Sequence, residues 1–112
     1  TVHEAISAVN ATLSAGETAV LFTSRELLTD DDPTTNLSLN RRVSEALVHV
    51  VRGLAVVPRF FIAKGGITSS DVATHGLGVR RARVLGQALP GVPVWQLGPE
   101  SRFPGGRYVV FP

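Results

Sequence analysis

Residues 60–71 read Phe60-Phe61-Ile62-Ala63-Lys64-Gly65-Gly66-Ile67-Thr68-Ser69-Ser70-Asp71. The opening apolar run has the pattern of a buried strand. Two glycines break it, where a backbone without Cβ turns sharply or lets a ligand come close. Thr68 then opens a helix, and Thr68-Ser69-Ser70-Asp71 has the form of a capping box with Asp71 in the place usual for Glu or Gln. Strand, Gly-rich turn and helix N-terminus together suit an anion. The first N–H groups of a helix have no internal partner, and the dipole there favours negative charge. Lys64, Thr68, Ser69 and Ser70 add donors to the same turn. The functional reading is a phosphate cradle. The bland reading is an ordinary strand-to-helix connection, because glycines are common at such turns.

The rest of the chain bounds these readings. At 112 residues it has the size of one domain, and it should bury about two-thirds of its unfolded surface. Hydrophobic content of 44% against 18% charged residues makes it globular and not disordered. Net charge is +2, from a small excess of Arg. Arg80, Arg81 and Arg83 cluster, as do Arg41 and Arg42, but no aromatics interleave with them. That argues against nucleic acid as a partner and for plain surface charge. With no Cys there are no disulfides and no thiolate metal sites. Apolar runs are too short for a membrane span, and nothing resembles a signal peptide, so a cytoplasmic location is expected. The chain has no Met, opens at Thr1 and stops at Pro112 after an apolar run. We therefore expect a piece of a longer polypeptide.

In chain order, Val2, Ile6, Val9 and Leu13 form one face of an amphipathic helix that ends at Gly16. Residues 18–23, Thr-Ala-Val-Leu-Phe-Thr, read as a buried strand, with Ser24 and Arg25 at its carboxyl end, where ligands gather in open α/β sheets. Ser24 serves equally well as a turn or cap hydroxyl. Asp30, Asp31 and Asp32 lie in a polar connection. A hard cation is the sharper reading of them, and a solvated loop the commoner one. Leu39, Val43, Ala46, Leu47, Val50 and Leu54 mark a long amphipathic helix. His3, His49 and His75 show no metal-ligand spacing. After the central turn come a short helix around Val72, Ala73 and Leu77, a strand within 80–89, a turn at Pro90-Gly91-Val92-Pro93, and strands over 94–97 and 108–111. The alternation predicts an α/β domain with a mixed, partly parallel sheet flanked by helices, Rossmann-like and three-layered, its last three strands antiparallel.

No Walker A motif, dinucleotide fingerprint, Ser-His-Asp set or carboxylate pair is present. The residues alone therefore lead to an α/β domain with a phosphate- or carboxylate-binding turn. The order Lys64-Gly65-Gly66-Ile67-Thr68-Ser69, Leu77-Gly78-Val79 and Pro90-Gly91-Val92-Pro93 resembles the C-terminal nucleotide-binding domain of the four-carbon acid sugar kinase family, also labelled Hrp-dependent type III effectors. The likeness runs from Ala19 to Phe111. It implies that residues 1–112 are the ATP-binding part of a longer two-domain kinase. That kinase would phosphorylate threonate, erythronate or 3-oxo-tetronate at the 4-hydroxyl, with Mg²⁺ as cofactor and the sugar acid held by an N-terminal domain.

By that resemblance Gly65, Gly66, Thr68 and Ser69 face the nucleotide phosphates, and Pro90, Gly91 and Val92 line the nucleotide. Ser24 stands as a further candidate from its place after the first strand. Ile67 departs from the pattern, since many members carry Asp there, so no carboxylate role transfers. The catalytic base is not identified and no metal ligand is assigned. The family's later Gly-rich loop would follow Pro112, so the chain alone is expected to be inactive. A homo-oligomer is compatible with this reading. The alternative is a non-catalytic binding or effector-type interaction module in which the Gly-Gly turn is only structural.

Overall fold

The computed structural model describes residues 1–22 and 33–112, and the side chains of the second helix from residue 41 onward. The backbone divides into two units, Thr1–Val56 and Val57–Pro112. Among the described residues no helix is long and apolar enough to cross a membrane.

The first unit is a helical pair. Helix α1 spans Val2–Ser14 and is closed at its start by a capping box. The Thr1 hydroxyl accepts from the Glu4 N–H at 3.4 Å, and the Glu4 carboxylate accepts from the Thr1 nitrogen at 3.4 Å. Gly16, at φ +78°, turns the chain away just past its end. Helix α2 spans Pro33–Arg52 and so begins six residues before the first residue of the apolar stripe, Leu39. Proline suits a helix start because its missing N–H would have no partner there. The α2 stripe buries Val48, Val50 and Val51, with Leu54 beyond its end. Asn10 ties α1 to the segment just past α2: its amide donates to the Gly53 carbonyl at 3.0 Å and accepts from the Ala55 N–H at 2.8 Å.

The buried strand expected over 18–23 is corrected. Residues 18–22 belong to no strand, and Val20 and Phe22 are 78% and 80% exposed. An apolar, β-branched run becomes a strand only when a neighbour completes its ladder, and no described strand pairs with this one. Thr23, Ser24, Arg25 and the three consecutive aspartates lie outside the described residues.

The second unit carries a four-stranded mixed sheet in the order β1-β4-β3-β2. The strands are β1 (Phe60–Lys64), β2 (Ala82–Leu89), β3 (Val92–Leu97) and β4 (Arg107–Phe111). β1 runs parallel to β4, while β4–β3 and β3–β2 are antiparallel. The α/β class, the mixed sheet and the antiparallel later strands agree with the sequence reading. Residues 92 and 93, expected in a turn, instead start β3. The turn narrows to Pro90 and Gly91, with Gly91 at φ +81°. β1 is an edge strand and not a buried one, because Phe60 and Ile62 alternate outward while Phe61 and Ala63 turn to the core.

The core of this unit is built around Tyr108, which is fully buried. Its ring stacks between Phe61 and Trp95, with centroids at 5.5 and 5.9 Å. The register places the three on one sheet face: Phe61 pairs with Tyr108, and Tyr108 with Trp95. Helix α3 (Gly66–Asp71) contacts β1 and β4 and runs on into one π-helical turn, Val72–Gly76. That turn closes with the Leu77 N–H on the Val72 carbonyl at 2.9 Å.

Candidate functional site

β1 carries the chain to Lys64, opposite Phe111 of β4. The Gly65 N–H donates to the Phe111 carbonyl at 2.7 Å, extending the parallel ladder by one residue. Gly65 then takes φ +99° and ψ 138°. L-residues rarely adopt that conformation, so it falls to glycine. The next residue is already helical.

The helix therefore starts two residues earlier than the sequence suggested. Gly65 is its N-cap, and no side chain caps it. Thr68 is not the cap but the third helical residue, and Asp71 is the last residue of α3 and closes no capping box. The physical reason is the positive φ at Gly65, which redirects the backbone at once. The hydroxyl of Thr68 signals a cap in sequence but is not needed as one.

The first i,i−4 bond runs from the Ser69 N–H to the Gly65 carbonyl at 2.9 Å. The N–H groups of Gly66, Ile67 and Thr68 precede it and have strand residues at i−4, so they form the orphan donor set of the first turn. A Cβ built on Gly66 meets nothing within 4 Å, so open space lies directly against this turn. A Cβ on Gly65 would lie 3.7 Å from the Thr68 side chain, which places Thr68 beside the glycine.

The hydroxyl-bearing candidates divide. Thr68 is half-buried and Ser70 is exposed. Ser69 is buried, and its hydroxyl donates to the Gly66 carbonyl at 3.1 Å. Its carbonyl accepts from Tyr108 Oη at 2.6 Å, so Ser69 is tied into the core from both ends. Lys64 is exposed, with its ammonium 5.9 Å from the Phe111 ring centroid. Tyr108 is the deep support of the turn, and burial raises the pKa of its phenol. Sequence reasoning missed that role. The aromatic that opens the expected 108–111 strand was its only trace.

Pro90 and Gly91 join β2 to β3 by a two-residue turn, and the Gly91 N–H donates to Gln87 Oε1 at 2.9 Å. β3 runs antiparallel to β4, so Val92, at its start, lies at the same end of the sheet as Phe111. The Gly65 turn adjoins Phe111. The structure thus brings Gly65, Gly66, Thr68, Pro90, Gly91 and Val92 to one end of the sheet, but not into contact. β1 and β3 are separated by β4, so roughly 10 Å lies between the two loops. Ser24 lies outside the described residues. Among the described residues no group of three or more His, Cys, Asp or Glu side chains could hold a metal ion.

The model of the family described as "Nucleotide-binding C-terminal domain" matches residues 1–112. No curated protein and no solved structure matches the chain.

Proposed function

The chain belongs to the nucleotide-binding C-terminal domain family, and from that premise we propose that it is the ATP-binding domain of a longer two-domain kinase acting on a four-carbon sugar acid. Threonate, erythronate and 3-oxo-tetronate are the candidate substrates, with the 4-hydroxyl as acceptor. The nucleotide part of this reading rests on the family match. The kinase and its substrate rest on the resemblance of the Gly65-Gly66-Ile67-Thr68-Ser69 and Pro90-Gly91-Val92-Pro93 elements.

One structural observation carries the site. Gly65, at φ +99°, throws β1 directly into a helix whose first N–H groups have no i−4 helical acceptor, beside a Gly66 whose Cβ would meet nothing within 4 Å. Unpartnered backbone donors at a helix start fit a phosphate by both hydrogen bonding and dipole. Gly65 and Gly66 would give the backbone approach, and Thr68 a hydroxyl donor beside it. Ser69 would contribute its position in the first turn, because its hydroxyl already serves the Gly66 carbonyl. Pro90, Gly91 and Val92 would line the nucleotide farther along the same sheet end.

ATP would supply the γ-phosphoryl group. This chain would hold and neutralise the phosphates, which is most of what phosphoryl transfer asks of a protein. The described residues contain no carboxylate cluster to hold Mg²⁺, so no step is assigned to the ion here. The sugar acid belongs, in this reading, to the N-terminal domain, and the base that activates its hydroxyl is not assigned.

The test is thermal unfolding of the chain with and without ATP and Mg²⁺. Ligand at about 100 times its dissociation constant adds about 2.7 kcal/mol to stability. An unchanged melting temperature at saturating nucleotide would remove the nucleotide reading. A shift with ATP, but no turnover of any four-carbon acid by the full-length parent, would leave a non-catalytic binding module.

A further inference from the structure

The far end of the sheet carries a second cationic feature. The register aligns Arg83 of β2, Gln96 of β3 and Arg107 of β4 in one row, on the face opposite Trp95 and Tyr108. Neighbouring strands lie about 4.8 Å apart, so the two arginine backbones stand roughly 10 Å from each other with the Gln96 amide between them. An open cavity of about 600 Å³ lies at this edge, lined among others by Arg81, Arg83, Gln96, Leu97, Pro99 and Gly105. The Arg107 guanidinium donates to the Gly105 carbonyl at 3.4 Å, which sets it at the cavity rim.

Arg81 faces the Glu100 carboxylate and helps lower its pKa, so one cation of the cavity already has an acid beside it. Among the described residues Arg83 and Arg107 have no carboxylate partner. The nearest acid, Glu100, is held by the backbone N–H groups of Arg80 and Arg81 at 3.0 and 3.5 Å. The whole unit Val57–Pro112 has seven Lys and Arg residues against only Asp71 and Glu100.

We propose that this cavity binds the phosphate group of a small organic phosphomonoester, at a site separate from the Gly65 turn. Guanidinium forks pair bidentately with phosphate oxygens. The Arg83 guanidinium and the Gln96 amide line the cavity, with Arg107 bonded at its rim, and together they suit the several oxygens of a phosphate. Leu97, Pro99 and Pro104 give apolar walls for the organic part.

Topology keeps the two sites apart. The Gly65 turn adjoins Phe111 at the carboxyl end of β4, and Arg107 begins that strand. Four residue steps at about 3.3 Å put them roughly 13 Å apart, so the cavity does not extend the nucleotide cradle. The site would stand even if the nucleotide reading failed.

The test is a titration of the ¹⁵N-labelled chain with phenyl phosphate, followed by amide shifts, with benzoate and inorganic phosphate as comparison ligands. The expected result is saturable shifts around Arg81, Arg83, Gln96 and Gly105. Affinity should fall at least about tenfold in Arg83→Gln/Arg107→Gln, and also in Arg83→Lys, which keeps the charge but loses the fork. Because these side chains are exposed, melting temperatures should hold. Gly66→Val should bind phenyl phosphate like the parent chain. The proposal is overturned by shifts confined to residues 65–68, by equal binding in the double variant, or by no saturable shift. Benzoate binding as tightly as phenyl phosphate would overturn the phosphate assignment, and inorganic phosphate doing so would overturn the organic part.

Discussion

The Tyr108 hydroxyl donates to the Ser69 backbone carbonyl at 2.6 Å, joining the last strand to the helix that follows the Gly65 turn. The Ser69 carbonyl also accepts from the Val72 N–H. Tyr108→Phe therefore leaves no orphan acceptor. It should cost about 0.5–1.5 kcal/mol, the net worth of one hydrogen bond. Urea midpoints of the two chains measure this directly. A loss near zero would mean that the hydroxyl does not anchor the turn.

The same phenol sets an alkaline limit. Its ordinary pKa is 10.0, and burial raises it in the folded chain. The unfolded chain thus releases the proton first as pH rises. The stabilising difference is fully present below about pH 10 and is lost progressively above it. Unfolding midpoints at about pH 8 and about pH 11 should fall more for the parent chain than for Tyr108→Phe. Equal falls would show that another group controls the alkaline transition.

Glu100 gives the mirror case in acid. Hydrogen bonds from the backbone N–H of Arg80, then its own and that of Arg81, hold its carboxyl below the ordinary 4.5 against a smaller opposing effect of desolvation. A depressed folded pKa stabilises above the unfolded value and is lost as pH falls through the folded one. Glu100→Gln should therefore narrow the stability gap between neutral and acid solution below about pH 4.5. Acid-unfolding curves of both chains check this. Superimposable curves would deny Glu100 any part.

Asn10 gives a prediction confined to the helical pair. It bonds both the Gly53 carbonyl and the Ala55 N–H, at 3.0 and 2.8 Å. Asn10→Ala removes both bonds and should cost about 1–3 kcal/mol. Loss of helical circular dichroism at lower urea measures it. A midpoint like that of the parent chain would show that solvent replaces both bonds without cost.

Sequence carried the later part of this fold better than the earlier part. Phe61, Trp95 and Tyr108 sit in short apolar runs between glycines and prolines, and each run became a strand. Of these strand pairs only β2–β3 has a two-residue turn to fix its register, while Phe61 and Tyr108 pair from distant parts of the chain. The run Val20-Leu21-Phe22 has the same composition but no described neighbour, and it stays outside any strand. Composition shows what could pair, while the existence of a partner is tertiary information. The site shows the same limit on a smaller scale. The glycine pair was visible, but which glycine takes positive φ was not, and that choice moved the helix start from Thr68 to Gly66. The Arg83–Gln96–Arg107 row was invisible for another reason: it depends on register across three strands.

The Gly65 turn separates backbone geometry from ligand approach. Gly65 holds φ +99°, so Gly65→Ala is strained and should cost roughly 1–2 kcal/mol whatever the turn binds. Gly66 is helical, and a Cβ there meets nothing within 4 Å. Val is also no worse than Gly inside a helix, so Gly66→Val should fold normally. If the first-turn N–H groups hold nucleotide phosphate, its branched side chain occupies the approach, and the ATP dissociation constant should rise at least tenfold, about 1.4 kcal/mol. Thr68→Ala distinguishes a third effect. Thr68 lies inside the first turn and caps nothing, so stability should change by no more than about 0.5 kcal/mol. Any loss of ATP affinity there reports a phosphate contact by the hydroxyl. Melting temperatures and ATP dissociation constants for the three variants make the comparison. Gly66→Val binding ATP like the parent would show that this turn is a structural connection only.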